Sequence, residues 1–194
     1  CVVIGAGGLG HLGVQCLRAL SATRIVVLDA KEQALALARE LGADETVLVN
    51  TQAQPTTSAA STGSSASRLA PHVAQVLELT GGAGAEVVLD FVGEQGAQAD
   101  AWAMTRRAGS HFVIGYGGRI DLAAIDVISS ERNVIGNLVG TYTELVELMA
   151  LNAAGRVTMR TRTYPLEAVN EAMDDLEAGR VRGRAILVPA SGGS

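Results

Sequence analysis

The chain has 194 residues, enough to bury one good core, or one domain with an appendage, but hardly two full domains. It is 48% hydrophobic yet only 3% aromatic, so the core must be aliphatic. Its 15 Lys and Arg against 20 Asp and Glu leave a formal charge of −5 with no basic run, which argues against a nucleic-acid surface or an anionic membrane as partner. No apolar run approaches the roughly 20 residues that span a bilayer, and no signal peptide is legible, so a cytoplasmic protein is expected.

Cys1 to Ile4 is a short apolar run leading straight into Gly5-Ala6-Gly7-Gly8-Leu9-Gly10 and then a helical pattern. Strand, Gly-x-Gly-x-x-Gly and helix in that order form a dinucleotide-binding fingerprint. Gly5 permits the tight turn off the strand, Gly7 lets the backbone approach a pyrophosphate, and Gly10 lets the helix pack closely on the strand. Gly8 and Leu9 complete this candidate phosphate loop, whose first helical N–H groups face the anion. Leu9, Gly13, Cys16, Leu17 and Leu20 recur at the spacing of one buried helical face. A second apolar run, Arg24 to Leu28, ends in Asp29, 19 residues beyond Gly10. A carboxylate there can accept both hydroxyls of an adenosine ribose and would repel a 2′-phosphate, so NAD rather than NADP is the expected cofactor.

A helix from Lys31 to Leu41 follows, with Ala34, Leu37, Ala38 and Leu41 inward and Gly42 as its cap, and Thr46 to Val49 is the third strand. Thr51 to Ser67 is almost entirely Thr, Ser, Ala, Gln and Gly, without periodicity, and reads as a flexible surface insertion. Leu69, Val73, Val76 and Leu77 mark a helix ending at Gly81-Gly82, and Glu86 to Val92 a strand interrupted by Asp90. An alanine-rich helix from about Gln95 to Arg107 carries Trp102, and a strand from His111 to Ile114 leads into the loop Gly115-Tyr116-Gly117-Gly118. Strand and helix alternate throughout, which predicts an α/β fold: a doubly wound parallel sheet covered on both faces. Ligands bind such sheets at the carboxyl edge, where the Gly115 loop lies.

Asn133 to Val139 is the predicted sixth strand and closes a dinucleotide-binding domain spanning residues 1–140. Residues 141–194 read as a separate C-terminal segment. Thr141-Tyr142-Thr143-Glu144 is a capping box that starts a helix ending at Gly155. Met159 to Tyr164 is a strand; Pro165 opens a helix with Val169, Ala172, Met173 and Leu176 inward and Gly179 as cap; Arg184 to Val188 is the last strand. This βαβ-like unit adds apolar surface that six strands do not need, so it is expected to pack on something else. Cys1 and Cys16 read as buried thiols, and His11, His72 and His111 have no Cys or His partner at ligand spacing, so no metal site is expected.

Several motifs in order carry a likeness to a known family. They are Val3-Ile4-Gly5-Ala6-Gly7-Gly8-Leu9-Gly10-His11, Leu37-Ala38-Arg39-Glu40-Leu41-Gly42-Ala43-Asp44, Leu79-Thr80-Gly81-Gly82, Asp90-Phe91-Val92-Gly93, Val139-Gly140-Thr141 and Arg182-Gly183-Arg184. On them the chain resembles the coenzyme domain and C-terminal return segment of the zinc-dependent medium-chain alcohol dehydrogenases, specifically the bacterial NAD-dependent secondary type. The resemblance implies that Phe91 and Val92 line the cofactor groove, that backbone groups of Ile114 and of the Leu138-Val139 corner hold the nicotinamide carboxamide, and that Arg184 lies on the pyrophosphate. A guanidinium suits that place, since it forks two bonds onto phosphate oxygens.

It further implies an oxidoreductase passing hydride between NAD and an alcohol or ketone, and a homo-oligomer joined through the sixth strand. The family's zinc is held in an N-terminal catalytic domain. No such ligands occur here, so no catalytic residue is expected in the chain itself and zinc only in a missing upstream part, an expectation strengthened by a start without Met inside a central strand. Two other readings stay open: a zinc-free NADPH quinone or enoyl reductase of the same superfamily, with Lys31 as its weak support, and a non-catalytic NAD-sensing module.

Overall fold

The first strand, β1 (Val2–Ile4), is the axis of the molecule, with β2 (Val26–Asp29) hydrogen-bonded on one side and β4 (Ala85–Asp90) on the other, both parallel to it. The structure, a computed structural model, describes residues 1–51, 69–94 and 96–190, so all of the Ser/Thr-rich stretch but Thr51 lies outside it. With β3 (Glu45–Leu48), β5 (Thr105–Val113) and β6 (Asn133–Gly136) the sheet runs β3-β2-β1-β4-β5-β6, every described pair parallel. The order reverses between β1 and β4, leaving a crevice at their carboxyl ends.

Alternation along the central strands divides the core into two layers. Val2, Ile4, Val26, Leu28 and Val88 face α3 (Pro71–Leu79) and α4 (Ala97–Met104), where Val73, Val76, Ala101 and Met104 meet them. Val3, Ile25 and Val27 face α1 (Gly10–Leu20) and α2 (Glu32–Glu40) through Val14, Leu35 and Ala38. Each such aliphatic side chain contributes about 1.5–3 kcal/mol when fully buried. Among the described residues both layers are aliphatic apart from Met104 in the first and Phe91, half-buried against the second.

The short helix α5 (Ala124–Ser130) precedes β6; α6 (Tyr142–Ala153) follows it, opened by the predicted capping box, in which the Thr141 N–H donates to Glu144 Oε2 at 2.6 Å and the Glu144 N–H to Thr141 Oγ1 at 3.3 Å. β7 (Thr161–Pro165) and β8 (Arg184–Val188) pair in parallel as a separate two-stranded sheet, linked by a 3-10 turn over Leu166–Ala168 and α7 (Val169–Glu177).

Several expectations are corrected. On α1, Leu9 and Leu20 are exposed and Gly13, Cys16 and Leu17 half-buried, while Gly10, His11, Val14 and Gln15 are buried. The helix serves two surfaces, the sheet and the C-terminal segment, and the second contact is polar, so apolar periodicity misplaces the buried face. Cys1 and Cys16 are half-buried, not core thiols. The alanine-rich helix stops at Met104 because Thr105 turns extended, its hydroxyl donating back to the Ala101 carbonyl at 2.7 Å. Arg106 and Arg107 therefore lie in β5, which shifts register against β4 between Ala85 and Val87.

β4 ends at Asp90 and β6 at Gly136, two and three residues earlier than expected, because each chain turns into a loop there. On α7, Ala172 and Asp175 are buried but Val169, Met173 and Leu176 are exposed: β7 and β8 give this helix only two strands to cover.

Candidate dinucleotide site

The turn from β1 into α1 is as tight as a backbone allows. Gly5 has φ +87°, and a Cβ on it would lie 2.7 Å from Val92 Cγ2, while a Cβ on Gly10 would overlap the Gly5 carbonyl. Gly13 lies against the Phe91 ring, a Cβ there falling 2.7 Å from Cζ. Gly7 alone among the loop glycines faces open space, with no heavy atom within 4 Å of where its Cβ would be. Leu9 stands at the helix N-cap without a side-chain cap bond, and no acidic residue lies in the first turn, so the positive end of α1 is left for an anion.

Two charged side chains flank this loop. Asp29, at the end of β2, accepts the Ala6 N–H on Oδ2 and the Lys31 N–H on Oδ1, each at 2.8 Å. It thus braces the loop while each oxygen keeps a second lone pair. Arg184 reaches back from β8 to lie over the loop: a Cβ on Gly8 would be 2.7 Å from its Nη1 and 3.0 Å from its Cδ. Lys31 Nζ instead lies over Gly179 at the end of α7.

The C-terminal segment is set on the domain by polar bonds that carry Arg184 there. Gln15 exchanges both bonds with the Thr158 backbone, at 3.0 and 2.9 Å, Arg182 pairs with Glu40 at 3.3 Å, and the Arg160 N–H approaches His11 Nε2 at 3.4 Å. Below the loop a cleft of about 630 Å³ opens between the β1, β2 and β3 ends and the starts of α3 and α4, lined by Gly5, Asp29, Val49, Val92 and Met104 among others. His72 and Asp100 form part of its wall, with His72 Nε2 2.8 Å from Asp100 Oδ2.

On the other side of the switch point, Asp90 organises the turns after β4 and β5. Its buried Oδ1 accepts the N–H groups of Val92 and Gly93 at 2.9 Å, and its carbonyl accepts those of Ile114 and Gly115 at 2.9 Å. Gly93 and Gly115 press backbone to backbone, so that a Cβ on either would overlap the other's main chain.

The structure therefore brings Gly5, Gly7, Gly8, Leu9, Gly10, Asp29 and Arg184 together at the β1–α1 turn, with Gly5, Asp29 and Val92 also lining the cleft, and Ile114 and Gly115 beside the switch point. Phe91 is placed differently from expectation: it is absent from the cleft wall and its ring packs under α1 against Gly13. Leu138 and Val139 are 91% and 94% exposed, on the turn after β6, and Val139 adopts φ +47°. Sequence reasoning missed His11, Gln15, Asp90 and the His72-Asp100 pair as parts of this region. A polar residue among apolar neighbours was the signal available for each.

Open loop glycine, unblocked helix end, facing arginine and ribose-side carboxylate fit an NAD-type dinucleotide. Among the described residues no group of three or more His, Cys, Asp or Glu is placed to hold a metal, so zinc has no fitting ligand set here.

Fold and loop together define a doubly wound dinucleotide-binding domain of the dehydrogenase kind. Residues 8–154 match the family model described as zinc-binding dehydrogenase, and the chain belongs to that family. It is 32% identical over 191 residues to the NAD-dependent alcohol dehydrogenase of Sulfurisphaera tokodaii, covering 97% of this chain and 50% of that protein. The alcohol dehydrogenase of the archaeon Aeropyrum pernix has a similar structure, with TM-score 0.81 and 38% identity over 97% of this chain and 49% of that one. A Pseudomonas syringae quinone oxidoreductase shares the fold at TM-score 0.73 and 24% identity, covering 97% of this chain and 56% of that one. The chain thus spans about half the length of the curated relatives it matches.

Proposed function

We propose that this chain is the NAD(H)-binding portion of an NAD-dependent alcohol dehydrogenase, an oxidoreductase passing hydride between NAD and an alcohol or ketone. The observation that carries the reading is the convergence of the open Gly7 loop, the α1 N-terminus and Arg184 on one point, with Asp29 behind them. In this reading the loop N–H groups and Arg184 hold the pyrophosphate, Asp29 the adenosine ribose, and Val92 the wall of the groove. Ile114, Gly115 and the Leu138-Val139 corner hold the carboxamide end through their backbones. When bound, the nicotinamide supplies the hydride acceptor or donor; the chain's own contribution is to orient it. Phe91 acts one step removed, by seating α1.

Zinc, in this reading, is bound by residues outside the described set, as the family name and the half-length match suggest. The protein works in the cytoplasm as a homo-oligomer joined along β6. Residues 1–140 form the coenzyme domain, and 141–194 return to a catalytic domain that covers the exposed faces of α6 and α7. Lys31, the one feature favouring an NADPH enzyme, lies over Gly179 and lends that alternative nothing further.

Fluorescence titration tests the proposal. NADH is expected to bind at least about tenfold more tightly than NADPH, a difference of roughly 1.4 kcal/mol. Equal affinities would remove Asp29 from the ribose site, and no binding of either would end the reading.

A further inference from the structure

His11 is fully buried in α1, and its two ring nitrogens face two groups of opposite character. Nδ1 lies 2.9 Å from the Gly7 carbonyl, which can only accept, so Nδ1 carries the hydrogen. Nε2 faces the Arg160 N–H at 3.4 Å, which can only donate, so Nε2 presents its lone pair. The two neighbours fix one tautomer of the imidazole. They also belong to the two halves of the phosphate clamp. Gly7 is the open glycine of the loop; Arg160 accepts on its carbonyl the Arg184 N–H at 2.9 Å, and the Arg184 guanidinium closes over Gly8. From Gly7 through His11, Arg160 and Arg184 to Gly8, the connection returns to where it began.

An apolar side chain would fill the same space without joining these halves. Gln15, one turn further along α1, grips Thr158 on both its backbone groups, so the C-terminal segment stays attached without His11. What His11 adds is the register between Arg184 and the loop.

We propose that His11 is a positioning residue for the cofactor: it aligns Arg184 with the Gly7 loop so that guanidinium and backbone donors meet the same pyrophosphate. This rests on the NAD(H) reading above.

The test is a double-mutant cycle on NADH affinity in the full-length protein. His11→Asn retains a donor for Gly7 but is too short to reach Arg160; His11→Gln carries an acceptor out to about the position of Nε2. His11→Asn is expected to weaken NADH about tenfold and Arg184→Ala at least as much, while the double variant is no weaker than Arg184→Ala alone. His11→Gln is expected to stay within about twofold of the parent. Asn and Gln variants that weaken binding alike, or effects of His11→Asn and Arg184→Ala that multiply, would overturn the proposal.

Should His11→Asn not fold, the ring 15N signals of the parent decide. They are expected to report the Nδ1–H tautomer, with an Nε2 signal that moves on adding NADH in the parent and stays still in Arg184→Ala; an unmoved signal in the parent overturns the proposal. A parent that binds no NADH overturns the cofactor reading, and this proposal with it.

Discussion

Single atoms decide most at the β1–α1 turn. Gly7 and Gly10 look alike in the sequence, yet a Cβ at Gly10 would enter the Gly5 carbonyl while one at Gly7 would meet nothing. Gly10→Ala is therefore expected to destabilise the protein by several kcal/mol, as other overpacked sites do, read as a lowered midpoint in urea. Gly7→Val should leave that midpoint nearly unchanged and abolish measurable NADH binding, since its side chain fills the space the pyrophosphate needs. Retained NADH affinity in Gly7→Val would remove the loop from the site. Asp29→Ser is expected to narrow the gap between NADH and NADPH by about 1 kcal/mol or more, the scale of a lost charged hydrogen bond. It should also loosen the Ala6 N–H, so a small fall in thermal stability is expected with it.

The elements teach a different lesson, best seen in the β7-α7-β8 unit. Asp175 is buried on α7, where Tyr164 Oη donates to Oδ2 at 2.8 Å, Arg180 Nε to Oδ1 at 2.6 Å, and Arg162 Nη1 sits 2.8 Å from Oδ2. The Tyr164 bond first, then Arg180, holds the Asp175 carboxyl below the usual aspartate range, while desolvation and the Asp175 bond push the Tyr164 phenol up. Because the carboxyl is lowered in the folded unit, its stabilisation is present above the ordinary aspartate range and lost as pH falls through the folded value. Because the phenol is raised, its stabilisation is present below the ordinary tyrosine range and lost as pH rises through the folded value. Unfolding followed against pH should thus show this unit weakening at both ends. Tyr164→Phe is expected to abolish the alkaline loss and reduce the acid one. A pH profile identical to the parent's would refute the assignment.

Nothing in the spacing of Arg162, Tyr164, Asp175 and Arg180 announced that cluster, because its partners come from a strand, a helix and the turn after it. Local chemistry was legible: the Thr141–Glu144 box and the span of β8 follow from short-range rules, and the parallel sheet from the alternation of strand and helix. So was the placement of the loop glycines at the β1–α1 turn and of Asp29 at the end of β2. The buried face of α1 was not, because half of it answers to Thr158 and Arg160, far along the chain. The end of α4 at Met104 was hidden for a related reason: helix-favouring alanines run up to it, and pairing with β4 overrides them.

On the scale of the whole molecule apolar surface is left open at a sheet edge and on two helices. β6 ends the sheet with all four residues exposed, Val134 at 36% and Ile135 at 38%, and its outer backbone groups face away from β5. An apolar edge of this kind invites pairing. If two copies join there, Ile135→Lys should shift the sedimentation profile toward monomer without lowering NADH affinity more than about twofold; an unchanged profile would place the interface elsewhere. Leu145, Met149, Met173 and Leu176 are about half exposed on α6 and α7 and mark further apolar surface beyond the sheet.

Arg184 and Gly8 stand 176 positions apart in the chain yet touch in space. During synthesis the glycine turn leaves the ribosome well before its clamp, which follows 176 positions later. The loop-closure cost of uniting them, which grows slowly with length, is met only after Arg184 has emerged. Ligand then acts as a late fastener and not as a template: whatever binds across Gly8 and Arg184 draws the docked arrangement of β7 and β8 forward by mass action. Amide exchange should register this as slower opening of Thr161–Pro165 and Arg184–Val188 when NADH is added, with far less change at β2 and β3, whose pairing is complete long before.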